Sequence, residues 1–162
     1  MADILYLVSF LDGPAPSGEV ANPCFEECLH LTLLPSFSIP DASLPEFRRL
    51  LNTLTPWFRP PVLFPTEEAL FGPKQDIPVK KVASLAEGED NCIHLYHRSV
   101  LEALHHLGGS VKEPHFTGGK FSPHVSYLDS WKPFSLDSVT LVHHREGFGR
   151  GIVNLANYYF GG

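Results

Sequence analysis

Cysteine is scarce in this chain, basic residues are few, and long apolar runs are missing. Three cysteines in 162 residues is an odd number. Cys24, Cys28 and Cys92 follow no export signal, so free thiols are expected and nothing demands an oxidising compartment. A chain of this length buries roughly 68–70% of the surface its unfolded form exposes, so it needs neither a disulfide nor a structural metal to fold. The apolar stretch over residues 4–11 falls far short of the roughly 20 residues that a membrane span requires. It also lacks a basic flank and a small-residue cleavage site, and the expectation is a cytoplasmic protein without a membrane segment. Twelve Lys and Arg against 18 Asp and Glu leave a formal net charge of −6. That balance argues against an extended nucleic-acid surface, which relies on concentrated positive charge, and leaves room for a small anion in a local pocket. No low-complexity tract or flexible linker divides the sequence, so residues 1–162 are expected to form a single domain of two lobes, acting as a monomer.

Against these shortages stand 43% hydrophobic residues, enough to exclude disorder and a collagen-like chain, and nine histidines. The strand pattern is clearest over 3–11, 27–34 (ending at Pro35), 62–64, 68–72, 79–85, 121–128, 138–144 and 151–160. The last two read as a hairpin around a turn at 147–151. Ser43-Leu44-Pro45-Glu46 has the form of a capping box, and Phe47, Leu50, Leu51, Leu54, Trp57 and Phe58 follow at helical spacing, predicting a helix over 44–58. A second amphipathic helix is predicted over 96–107, closed by Gly108-Gly109. The order of elements is an α+β pattern of two similar halves.

Each half contains the same small motif, His30-Leu31-Thr32-Leu33 and His124-Val125-Ser126-Tyr127. Residues two apart on a strand share a face, so His30 lies beside Thr32 and His124 beside Ser126. Two imidazoles and two hydroxyls suit phosphodiester chemistry. One imidazole removes a proton from the attacking oxygen, the other protonates the leaving oxygen, and the hydroxyls donate to the phosphate. With an unperturbed pKa of about 6.5, histidine keeps both protonation states accessible near neutrality.

The two motifs, with Phe121-Ser122-Pro123 leading into the second, resemble the 2H phosphoesterase superfamily, closest to its 2′-5′ RNA ligase-like (LigT-type) branch. The resemblance extends over nearly the whole chain. It implies a bilobal fold of two antiparallel β-sheets with pseudo-twofold symmetry around a central cleft, helices on the outside. It further implies hydrolysis of a 2′,3′-cyclic phosphate, a 2′-5′ linkage or a related nucleotide phosphodiester, with His30 and His124 catalytic and Thr32 and Ser126 holding the phosphate. No cofactor and no metal are implied. The expected partner is a small nucleotide or short RNA. Lys74, Lys80, Lys81, Lys120 and Arg150 are the only basic candidates around such a cleft, which favours a short ligand over a long RNA.

Other readings compete. The motif residues could be half-buried strand residues chosen for β-propensity. The same histidines could degrade a cyclic oligonucleotide signal, or the fold could bind nucleotides without turnover. Cys24, Cys28 and His30, with Cys92 and His94, are the best zinc candidates, but their spacing matches no common closed zinc module and would consume His30. His94 and His97 could share a helix face, although no third ligand is near, and His105 and His106 suit a solvent-facing helix C-terminus. His143 and His144 face opposite sides of a strand, and His115 carries no readable signal. Phe121, Tyr127 and Phe148 could stack a base, though strand aromatics are more often core.

Overall fold

Runs of Val, Ile, Leu, Phe and Tyr broken by glycine and proline form, among the described residues of the computed structural model, ten strands and two α-helices. The structure describes residues 4–11, 20–21, 29–72, 74–84, 93–112, 117–144 and 152–161. The strands are β1 (Ile4–Phe10), β2 (Val20–Ala21), β3 (His30–Ser38), β4 (Val62–Phe71), β5 (Ile77–Ser84), β6 (Ser110–Val111), β7 (His124–Ser126), β8 (Phe134–Ser135), β9 (Ser138–His144) and β10 (Ile152–Tyr159). The helices are α1 (Leu44–Leu54) and α2 (Ile93–His106). Cys24, Cys28, Cys92, His115, Phe148, Arg150 and the 147–151 turn lie outside the described residues, as does nearly all of the proline-rich 13–23 loop.

The strands follow one path, β2-β10-β9-β1-β3-β7-β5-β4-β8, with β6 beside β3, and the pairings along it are antiparallel. Two halves are visible in that order. β1, β9, β10 and β2 lie on one side of β3, with β9 between the chain's first and last strands, while β5, β4 and β8 extend from β7 on the other. The halves meet at a single Cα pair, Leu31↔Val125. Leu31 and Val125 are fully buried beneath the helices, in a core that also takes Phe47 and Leu51 from α1 and Tyr96, Val100 and Leu104 from α2.

Pro35, expected to end a strand, and Pro65, between two expected strands, both lie inside strands. β3 continues through Pro35 to Ser38, and its pairing with β1 slips between Leu5 and Leu7, across from Leu34 and Phe37. β4 is a single strand through Pro65, with a slip between Pro65 and Glu67. A bulge leaves one residue outside the ladder, so a missing proline N–H costs no ladder bond there. A second slip in the β1–β3 pairing, between Leu7 and Val8 across from Leu34 and Thr32, explains why neighbours Leu33 and Leu34 are both fully buried, against strict alternation.

α1 ends at Leu54, and a 3₁₀ turn at Thr55–Trp57 carries the chain on toward Phe58. The capping box does not form. Ser43 closes the preceding 3₁₀ turn Asp41–Ser43 in helical conformation and makes no side-chain cap, and the Glu46 carboxylate accepts instead from Arg49 Nε at 2.9 Å. The strand expected over 121–128 shortens to three residues because a 3₁₀ turn, Gly118–Lys120, precedes it and Tyr127 turns away at φ 61°. Among the described residues, no helix is long and apolar enough to cross a membrane.

Candidate active site

The two histidine motifs lie on the strands that join the halves. Both follow the same burial alternation, half-buried, buried, half-buried, over His30-Leu31-Thr32 and His124-Val125-Ser126. Leu31 and Val125 point into the core, so His30, Thr32, His124 and Ser126 project from the other face of the sheet. Carrying the Leu31↔Val125 register one residue each way sets His30 across from Ser126 and His124 across from Thr32. Each imidazole therefore faces the hydroxyl of the other motif. Directly opposed residues have Cβ atoms about 4.5–5.5 Å apart and diagonal ones about 7–8 Å, so the two imidazoles, which lie on the diagonal, stand close together on one face of the seam.

The motif histidines share a pattern of support. The Phe10 ring meets His30 edge-on at 5.9 Å, and the Phe71 ring meets His124 edge-on at 4.5 Å. His124 Nδ1 bonds the Ser122 carbonyl at 2.8 Å. A carbonyl can only accept, so Nδ1 carries the proton and Nε2 keeps its lone pair. Pro123 helps aim that carbonyl, since a residue ahead of proline is confined to extended conformations. Burial pushes the His124 pKa below its ordinary value, the Ser122 bond opposes this, and the nearby Lys81 cation adds to the lowering. The lowered pKa favours the neutral form of the imidazole.

Several solved structures superpose on the chain. Escherichia coli LigT aligns over 99% of this chain and 99% of its own, at 12% identity and a TM-score of 0.60, both in its NADP+ complex and in its ATP complex. TT0787 of Thermus thermophilus covers 96% of this chain and 97% of its own at 19% identity and TM-score 0.57, and a structure described as a phosphoesterase covers 100% of both at 14% and 0.58. The chain shares the fold of LigT and these related structures. No family model and no curated protein matches it in sequence.

Within this LigT-like fold the basic candidates separate. Lys80 is buried and pairs with Val125, on the core face; its ammonium donates to the Leu128 carbonyl, lies 3.4 Å from Glu68 Oε1 and sits 4.9 Å from the Trp131 ring centroid. Lys81 pairs with His124 on the motif face. Lys74 belongs to the β4–β5 turn, and Lys120 is exposed ahead of β7.

Among the described residues, other histidines tie elements together, are exposed or are buried away from the motifs. His97 is buried, with Nδ1 donating to the Leu33 carbonyl at 2.6 Å and Nε2 accepting the Gly118 N–H at 2.9 Å. Phe121 stacks on it at 3.9 Å, which removes that ring from any role as a base platform. His94 meets Phe121 edge-on at 5.2 Å, His105 and His106 are exposed, and His143 is buried. Of the three candidate base stackers, Tyr127 is exposed. Among the described residues no group of three or more His, Cys, Asp or Glu side chains is arranged to hold a metal ion.

Phe10, Phe71 and Glu67 were not singled out from the sequence. The signal for the last two was the alternation Glu67, Ala69, Phe71, legible only once 62–71 is known to be one strand. A cavity of about 450 Å³ lies between the β4–β5 hairpin and the 127–129 segment, but none of the four motif residues lines it, and its lysine, Lys80, already has its partners. The chemistry-bearing groups converge on the motif face instead.

Proposed function

We propose that the protein is a phosphodiesterase that opens a 2′,3′-cyclic phosphate, a 2′-5′ linkage or a related bond of a small nucleotide, with His30 and His124 as the acid/base pair and Thr32 and Ser126 as phosphate donors. The observation that carries this reading is the Leu31↔Val125 register, which sets each imidazole across from the other motif's hydroxyl. A phosphate between them would receive two O–H donors at its non-bridging oxygens. One imidazole takes a proton from water as the water oxygen bonds to phosphorus. The bond from phosphorus to a ribose oxygen breaks, and the other imidazole, protonated, delivers a proton to that oxygen. The product is a phosphomonoester with a free ribose hydroxyl, and two imidazoles supply both proton transfers without requiring a metal. LigT has been seen with NADP+ and with ATP, which supports a nucleotide as the class of ligand here.

The test is turnover across 2′,3′-cyclic nucleotides, 2′-5′ dinucleotides and cyclic oligonucleotides. Wild-type protein is expected to hydrolyse at least one. His30→Ala and His124→Ala should each lower kcat by ~10²–10⁴-fold, and Thr32→Ala or Ser126→Ala by about 10²-fold, with unfolding midpoints retained. Undiminished turnover in either histidine variant would overturn the assignment. Nucleotide binding with no turnover of any substrate would favour a non-catalytic binding module, and turnover confined to cyclic oligonucleotides would favour signal degradation.

A further inference from the structure

The two halves of the motif face are unlike in charge. On the β1 side, Val8, Phe10 and Val142 form a small apolar cluster with Tyr6, and Val8 and Phe10 pair with Thr32 and His30. On the β5 side stands Lys81, directly across from His124. Its ammonium lies 3.2 Å from Glu67 Oε1 and 6.0 Å from the centre of the Phe71 ring, the ring that also touches His124. The Lys81 side chain is 36% exposed and that of Glu67 62%, so solvent reaches the pair and its attraction is weak enough for a ligand to compete with it.

The geometry points to Lys81 as the cation that binds the ligand's phosphate group, with Glu67 holding the ammonium over Phe71 until an anion replaces the carboxylate. This inference rests on the motif face being a phosphoester site, and it names the residue that supplies the charge such a site needs. A phosphodiester carries one full negative charge and a monoester nearly two. Thr32 and Ser126 offer hydrogen bonds but no charge. Of the basic residues near the cleft, Lys80 is committed on the core face, whereas Lys81 shares the motif face and can swing on a flexible stem between Glu67 and a phosphate oxygen.

Titration calorimetry with a nucleoside 2′-monophosphate and with inorganic phosphate tests this without any need for turnover. Lys81→Met should weaken binding of the nucleotide about tenfold at low salt, with Lys81→Arg close to wild type. The difference between wild type and Lys81→Met should shrink as salt is raised from about 50 mM to 500 mM. Glu67→Gln should tighten binding about threefold, and Glu67→Gln added to Lys81→Met should give no such gain. Lys112→Met, an exposed cation beyond β6, serves as the control for net charge. With a hydrolysed substrate, Lys81→Met should raise KM more than it lowers kcat.

Equal affinity in wild type and Lys81→Met, Lys81→Arg as weak as Lys81→Met, or a wild-type protein that binds neither probe would each overturn the assignment. The outcome is separable from the hydrolase reading. Full turnover in His30→Ala would sink the catalytic roles and leave the Lys81 titration to be judged by itself, while loss of turnover in the histidine variants beside an unmoved Lys81→Met would sink only the cation.

Discussion

Histidine shows most sharply how much environment adds to residue type. His97 and His124 are both held below the ordinary imidazole pKa, chiefly by burial. His97 ties β3 to the turn before β7 through both ring nitrogens, whereas His124 spends only Nδ1 on the backbone. A histidine that resists protonation when folded, yet accepts a proton near pH 6.5 when unfolded, contributes stability above that pH and loses it as the pH falls. His94, desolvated and near Arg98, acts in the same direction. Urea midpoints should therefore drop between pH 7.5 and 5.5, and nitrogen NMR should show His97 titrating below an unperturbed imidazole, its neutral form carrying the proton on Nδ1. A midpoint that holds or rises over that range would contradict both. Sequence spacing does mark out His30 and His124 by the hydroxyl two residues on. It could not tell that His97 is a core tie, because its partners, Leu33 and Gly118, are distant in the chain.

At the scale of elements, helix ends and bulges follow backbone chemistry more closely than side-chain motifs. α2 closes as the double glycine leads one to expect: the Gly109 N–H reaches the Leu104 carbonyl at 2.9 Å, the Gly108 N–H reaches His105 at 3.1 Å, and Gly108 takes φ 84°. Gly108→Ala should cost about 1 kcal/mol through backbone strain. Gly109→Ala should cost more, about 1–3 kcal/mol, since its Cβ would run into Leu104 Cδ1 and fall 2.9 Å from the Ser38 carbonyl oxygen. Thermal melts of the two variants give the ranking, and equal or reversed losses would refute it. The start of α1 is the counterexample, since Ser43 and Glu46 have the right spacing for a capping box but Ser43 is already wound into a 3₁₀ turn. Pro35 and Pro65 mislead for a related reason: a proline ends a regular ladder but not a bulged one.

For the whole molecule, the decisive contact is the seam between halves. One Cα pair, Leu31↔Val125, joins the β3 and β7 ladders, with the buried side of the seam under the helices and the other side carrying the motif residues. Leu31→Ala should cost about 3 kcal/mol in urea unfolding by leaving a cavity at full burial. Because it also loosens the register between the motifs, hydrolysis should fall in the folded fraction as well; a large stability loss with undiminished turnover would show that the seam does not set the motif geometry. Tyr96 closes the opposite side of the core. It packs edge-on between Phe58 at 5.1 Å and Phe160 at 5.2 Å, its hydroxyl lies 2.8 Å from Thr55 Oγ1, and burial raises its pKa.

The α+β order of elements, the two helices and the faces of the two motifs are set by local chemistry, because strand parity and helical spacing act over a few residues. The pairing of residue 31 with residue 125 is not local. It depends on both halves burying their leucine and valine under the same helices, and only that shared burial sets one motif against the other and Lys81 across from His124. Neighbouring lysines 80 and 81 make the same point: one is buried beside Val125, its ammonium held by Leu128, Glu68 and Trp131, and the other is left on the motif face. In sequence they are adjacent and chemically identical, and the sheet's two faces, which exist only after folding, separate them.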